Sequence, residues 1–193
     1  MSKLYFKYGT MGSSKSAQAL MCKFNYEQKG LRVLLMKPAT DTRDNEDGES
    51  YVKTRIGLKA KCSTFSKLDS FLDIIEKTEK QKRIDCVIID EAQFCTKKQI
   101  DELKEISGRI PVLCYGLKTD FRTEFFEGSK RLMEIADSLM EIKQVCSCGR
   151  KAEVNARLVN GKVVTEGETI FIGGDESYES MCYWCYKKRI ENQ

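Results

Sequence analysis

The sequence predicts an α/β protein, an open and mostly parallel sheet flanked by helices, with a small β-hairpin unit appended. Three observations point there. Short aliphatic runs bounded by turn residues alternate with amphipathic stretches of helical length. A Gly/Ser-rich turn joins the first run to the first helix. The texture then changes at Cys146, which with the residues after it holds four of the nine cysteines.

Leu4-Tyr5-Phe6-Lys7-Tyr8 reads as a strand and Gly9 to Ser16 as a turn. From Lys15 to Gln28 the positions Ala19, Leu20, Cys22 and Phe24 suit a helix, which Gly30 closes. Leu31 to Met36 is an unbroken aliphatic run bounded by Pro38, as expected of a strand buried on both faces. Ala39 to Tyr51 is acidic and polar and reads as a mobile loop. Ser66 is placed to cap a helix running through Lys80, with Leu68, Phe71, Leu72, Ile74 and Ile75 on its apolar side. Ile84 to Ile89 is another buried strand. Thr96 and Gln99 form a capping box ahead of Ile100, Leu103 and Ile106, and Gly108 stops that helix before a strand at Ile110 to Tyr115. A helix around Ser129 to Asp137 completes the first domain, residues 1–145. Residues 146–193 carry an Asn160-Gly161 hairpin turn and a closing helix from about Glu179.

Composition narrows the function. Of 193 residues, 41% are hydrophobic and 32% charged, the balance of a globular chain. Aliphatic runs such as Val33 to Met36 fall far short of the ~20 residues a bilayer span needs. The opening residues read as a strand rather than a signal peptide, so the expected location is cytoplasmic, with no membrane partner. There is no histidine, which excludes Ser/His/Asp triads, Cys/His pairs and His-ligated metals together. The net charge of +4, from 33 basic and 29 acidic residues, is spread along the chain and argues against nucleic acid as the main partner. Nine cysteines cannot pair off completely and read as reduced thiols or metal ligands.

Gly9-Thr10-Met11-Gly12-Ser13-Ser14-Lys15-Ser16 follows a strand and opens a helix, the context in which G-x-x-x-x-G-K-[ST] forms a phosphate-binding loop. Backbone N–H groups surround a phosphate, Lys15 reaches its β and γ oxygens, and the Ser16 hydroxyl ligates Mg²⁺. Ser14 stands where the second glycine belongs, and a side chain at a position needing φ > 0 costs ~1 to 3 kcal/mol. The bland alternative is a turn that only caps a helix. Cys86-Val-Ile-Ile-Asp90-Glu91-Ala92-Gln93-Phe94 is a buried strand ending in two carboxylates. Asp90 suits Mg²⁺ or its waters, and Glu91 is the candidate base for whatever attacks the γ-phosphate. Read structurally, the pair would merely cap a following helix.

Cys146-x-Cys148 and Cys182-x-x-Cys185 offer four thiolates to a closed, structural Zn²⁺ site. The other cysteines lie singly in apolar patterns or short loops and read as small core residues. Tyr115 to Arg122 follows a strand and is either a substrate rim or an ordinary loop with an Asp120–Arg122 ion pair. Arg43 and Arg157 are phosphate clamps or solvated charges.

These motifs, with Asp41-Thr42-Arg43, Phe126-Glu127-Gly128-Ser129 and Ile172-Gly173-Gly174-Asp175-Glu176-Ser177-Tyr178, resemble the type II thymidine kinases over nearly the whole chain. The resemblance implies a phosphate-loop, RecA-like domain joined to a zinc-binding lasso. It implies transfer of the γ-phosphate of ATP to the 5′-hydroxyl of thymidine, and of deoxyuridine, with Glu91 as general base. It also places Gly9 to Ser16 and Asp90 to Gln93 at the phosphates, with Arg43 and Arg157 facing the transferred group. The thymine pocket maps onto Met11, Leu117, Phe121, Phe126 and Tyr178, with backbone groups around Phe171, Ile172 and Gly173 bonding the base edge. A homotetramer and feedback binding of dTTP are further implications. A rival reading is a phosphate-loop ATPase module whose zinc unit binds nucleic acid or protein, although the chain has neither a second ATPase core nor a basic track.

Overall fold

Val87, Ile88 and Ile89 leave no polar face for water, and the strand they form is buried on both sides. The computed structural model describes residues 3–167 and 178–193. In chain order its elements are β1 (Leu4–Tyr8), α1 (Lys15–Glu27), β2 (Val33–Pro38), β3 (Tyr51–Lys53), β4 (Lys59–Lys61), β5 (Ser63–Phe65) and α2 (Phe71–Glu79). Then come β6 (Cys86–Ile89), a single 3-10 turn (Ala92–Phe94), α3 (Lys97–Ile106), β7 (Val112–Gly116), α4 (Glu127–Ile135) and β8 (Ser138–Glu141). The chain ends with β9 (Val154–Val159), β10 (Lys162–Val164), β11 (Tyr178–Met181) and α5 (Tyr183–Glu191).

Six strands form one parallel sheet in the order β5-β2-β6-β7-β1-β8. Ala19 and Leu20 of α1 cover one face, over Leu35, Ile88, Leu113 and Tyr115. Phe71 and Ile75 of α2, Ile100 and Leu103 of α3 and Leu132 of α4 cover the other, over Phe6, Met36, Val87, Ile89 and Cys114. Because β1 feeds a helix on one face and β7 a helix on the other, a crevice opens between their carboxyl ends, where such sheets bind ligands. A second sheet, β10-β9-β11, is antiparallel and closes over Val154, Ala156, Val163 and Met181. Its β9–β10 turn is the expected Asn160-Gly161, with φ of 52° and 77°.

Several elements differ from the sequence expectation. Helix α2 starts at Phe71, capped by Ser70, whose Oγ accepts from the Asp73 N–H at 3.4 Å. Ser66 makes only a turn, its N–H donating to Asp69 Oδ2 at 2.6 Å, and Leu68 is 97% exposed rather than apolar-packed. The polar segment after Pro38 leads into a β3–β4 hairpin and the edge strand β5, and a further edge strand, β8, follows α4. Tyr178–Met181 is a strand rather than the start of the closing helix, which begins at Tyr183 with Cys182 as its cap.

Candidate active site

The turn after β1 approaches its neighbours too closely for a side chain at its start: a Cβ on Gly9 would lie 2.3 Å from the Ile142 carbonyl oxygen. Gly12 has φ 74°, and Ser14, the first residue before α1, also takes a left-handed conformation (φ 62°). The strain expected from the missing glycine is therefore present. Lys15 is 8% exposed, and its Nζ donates to the Thr10 carbonyl at 2.7 Å and to Ser13 Oγ at 3.4 Å. Burial holds the Lys15 pKa below its ordinary value, against the charges of Glu91 and Asp90.

Asp90 and Glu91 leave β6 at the same edge. Burial, followed by the charge of Glu91, pushes the Asp90 carboxyl up to about 7, while a hydrogen bond with the Ser16 side chain opposes the shift. The two side chains expected to hold Mg²⁺ thus meet as a hydroxyl and a carboxylate, hard oxygen donors of the kind that ion takes. Glu91 occupies a left-handed conformation (φ 51°), the second strained non-glycine turn at this edge. Its carboxylate accepts from Gln93 Nε2 at 2.6 Å and from an Arg43 guanidinium nitrogen at 3.3 Å. Gln93 Oε1 accepts in turn from the Leu117 N–H at 3.0 Å. Arg43 also grips Asp41 (2.8 Å), and the buried Lys37 ammonium stands 3.9 Å from Asp41 on the other side. Burial would raise the Asp41 carboxyl, but Arg43 and Lys37 hold it below its ordinary value.

On the opposite wall, Phe121 is 1% exposed, and the Arg157 guanidinium lies 5.4 Å from its ring. Arg157 pairs across the strands with Tyr178. The half-buried Phe126 meets Phe94 edge-on at 5.8 Å. A cavity of about 270 Å³, lined in part by Gln93, Asp120, Arg122 and Phe126, opens beside this group. Asp120 and Arg122 form the foreseen ion pair at 2.9 Å, so the loop after β7 is internally braced as well as facing the crevice. Sequence reading missed Asn155, whose Oδ1 accepts from the Met11 N–H at 2.7 Å, and Ser180, whose Oγ donates to the Met11 carbonyl at 2.7 Å. It also missed Arg55, on the β3–β4 turn, with Nη1 3.9 Å from where a Gly12 Cβ would stand. Each is a lone polar residue outside any motif.

The sulfurs of Cys146, Cys148, Cys182 and Cys185 all lie within 4.8 Å of one another, with Cys148 and Cys182 3.6 Å apart. Four thiolates at ~2.3 Å around a tetrahedral Zn²⁺ stand roughly 3.8 Å from each other, so the set fits that ion. The backbone N–H of Cys148, foremost, draws the Cys146 thiol down to about 6. Cys185 is pushed up to about 12 by hydrogen bonds to the sulfurs of Cys148, Cys182 and Cys146. Of the other cysteines, Cys86, Cys95 and Cys114 are buried core residues, while Cys22 and Cys62 are half-buried.

A family model described as thymidine kinase matches residues 2–186. The chain belongs to the thymidine kinase family. It is 43% identical over 185 residues to a thymidine kinase of Shewanella oneidensis, covering 94% of this chain and 95% of the relative. It is 45% identical to one of Zymomonas mobilis, covering 94% of each. A third, of Yersinia pseudotuberculosis, is 42% identical over 194 residues, 99% of this chain and 97% of the relative. Membership in the thymidine kinase family makes the chain a nucleotide-binding transferase.

The structure gathers Gly9, Thr10, Met11, Gly12, Ser13, Ser14, Lys15, Ser16, Asp90, Glu91, Ala92, Gln93 and Arg43 at the carboxyl ends of the parallel strands. Met11, Phe121, Arg157 and Tyr178 are joined through the β9–β11 strand pair. Phe171, Ile172 and Gly173 lie outside the described residues. Among the described residues, no helix is long and apolar enough to cross a membrane.

Proposed function

We propose that this chain transfers the γ-phosphate of ATP to the 5′-hydroxyl of thymidine, and of deoxyuridine, giving the nucleoside monophosphate and ADP. One observation carries the reading: the Glu91 carboxylate, held by Gln93 and Arg43, stands at the same edge as Lys15 and the phosphate loop. Glu91 accepts the proton of the 5′-hydroxyl. That oxygen bonds to the γ-phosphorus as the bond to the β-phosphate oxygen breaks, and ADP leaves with the electron pair. Lys15 and Arg43 bring positive charge to the transferred group, with Arg157 entering from the nucleoside side. Ser16 and Asp90 would hold Mg²⁺, which when bound neutralises phosphate charge.

Met11, Leu117, Phe121, Phe126 and Tyr178 supply flat apolar faces to the base, and backbone groups of Phe171 to Gly173 supply its edge contacts. In this reading residues 1–145 are the kinase domain and residues 146–193 a lasso domain, stapled by zinc at the four cysteines. The enzyme works in the cytoplasm as a homotetramer and binds dTTP as a feedback ligand.

The test is ADP formation measured with thymidine, with DNA, and with neither. Thymidine-dependent ADP accompanied by a monophosphate product is the expected result. DNA-stimulated hydrolysis without monophosphate, or silence in all three arms, would overturn the proposal.

A further inference from the structure

A phosphate loop turns N–H groups inward, so its carbonyls face outward and need donors from elsewhere. Three successive carbonyls are bonded here, the first within the loop and the next two from outside it. Thr10 O accepts from Lys15 Nζ (2.7 Å), Met11 O from Ser180 Oγ (2.7 Å) and Gly12 O from Gln144 Nε2 (3.0 Å). The Met11 N–H donates to Asn155 Oδ1 at 2.7 Å. Asn155 is 4% exposed, and its Nδ2 donates to the Thr119 carbonyl at 3.4 Å, in the loop after β7. Asn155 and Ser180 are cross-strand partners on β9 and β11, and the pair Arg157–Tyr178 lies two residues further along, on the same face. One face of the three-stranded sheet thus meets the phosphate loop and the nucleoside side of the crevice together.

We propose that Asn155 and Ser180 are positioning residues that clamp the Met11 backbone, one holding the peptide group before it and the other the one after, so that the three-stranded sheet sets the shape of the phosphate loop and with it the affinity for the triphosphate. Left-handed residues such as Ser14 persist only where their surroundings over-determine them. The clamp supplies that constraint from outside the parallel sheet. Partly buried polar pairs of this kind lose most when one partner is removed, because the other is left without its hydrogen bond. The proposal rests on reading Gly9 to Ser16 as a triphosphate site.

The test titrates a non-hydrolysable ATP analogue with Mg²⁺ into the full chain, alongside steady-state kinetics and a thermal midpoint for every variant. Ser180→Ala is expected to weaken analogue binding about three- to tenfold, the net worth of one hydrogen bond, and to raise KM for ATP more than it lowers kcat. Ser180→Thr, which keeps the hydroxyl, should restore binding to within about twofold. Asn155→Ala should weaken binding further, and the double variant should lose less than the product of the two single effects, since both act on the backbone of one residue, Met11. Analogue affinity in Ser180→Ala within about twofold of the unsubstituted chain would overturn the clamp. So would a loss seen only in variants whose thermal midpoint has collapsed. If the unsubstituted chain binds the analogue but forms no ADP with thymidine, the functional reading fails while the analogue titration still decides the clamp.

Discussion

Strands β6 and β7 put Val87, Ile88, Ile89, Val112 and Cys114 wholly out of water, whereas β9, β10 and β11 close over Val154, Ala156, Val163 and Met181 beside the cysteine cluster. Each fully buried aliphatic side chain contributes ~1.5 to 3 kcal/mol, so the parallel sheet, covered on both faces, is held by its core. The antiparallel sheet belongs to a segment of the size at which a core rarely suffices and a metal or disulfide is needed as a staple. No disulfide joins any of the nine cysteines. The contrast teaches that the two sides of the crevice have separate sources of order: Asp90 and Glu91 ride on a packed parallel sheet, whereas Asn155, Arg157, Tyr178 and Ser180 ride on the strands beside the four sulfurs.

Stripping the zinc proposed for the four sulfurs, or replacing Cys182 with serine, should break the contrast most severely. Activity with thymidine is expected to fall at least ~100-fold, since metal binding in such a unit is folding free energy. Hydrogen exchange is the decisive reading: β9 and β11 amides should lose protection while β6 and β7 amides keep theirs. Ile88→Ala probes the other half. It should lower global stability by ~2 to 5 kcal/mol in denaturant titration and leave the metal content unchanged. The smallest effect belongs to the loop between the halves. Ser14→Gly removes a left-handed side-chain penalty of ~1 to 2 kcal/mol, so stability should rise and kcat/KM stay equal or increase. A marked loss of kcat/KM there would show that the Ser14 side chain takes part in the chemistry.

The contrast also explains which parts could be read from the sequence. Strands β6 and β7, and β2 as far as Met36, announce themselves because burial on both faces leaves unbroken apolar runs. The edge strands β5 and β8 do not: Leu139 and Met140 of β8 are largely exposed, and β5 is only Ser63–Phe65. Ser66 and Ser70 each precede an aspartate by three residues, so local pattern cannot choose between them. Tertiary structure does, through the Phe71 N–H donating to the Glu102 carboxylate at 2.7 Å. Helix α5 starts later than its pattern suggests because Cys182 serves both as its cap and as a member of the sulfur cluster. At the site, the meeting of Lys15, Asp90 and Glu91 is legible because each stands at a fixed spacing from the end of a strand. Asn155 and Ser180 are not, since a hydrogen bond to the Met11 backbone from across the fold leaves no mark along the chain.

Glu91→Gln tests most directly the proposal that Glu91 takes the proton of the acceptor hydroxyl while Lys15 grips the phosphate. A single-turnover assay of dTMP formation, paired with titration of a non-hydrolysable ATP analogue, reads both halves of the claim. Transfer should fall at least ~100-fold while analogue affinity stays within about threefold, as expected when a general base is lost from an intact site. Transfer at the unsubstituted rate would contradict the account.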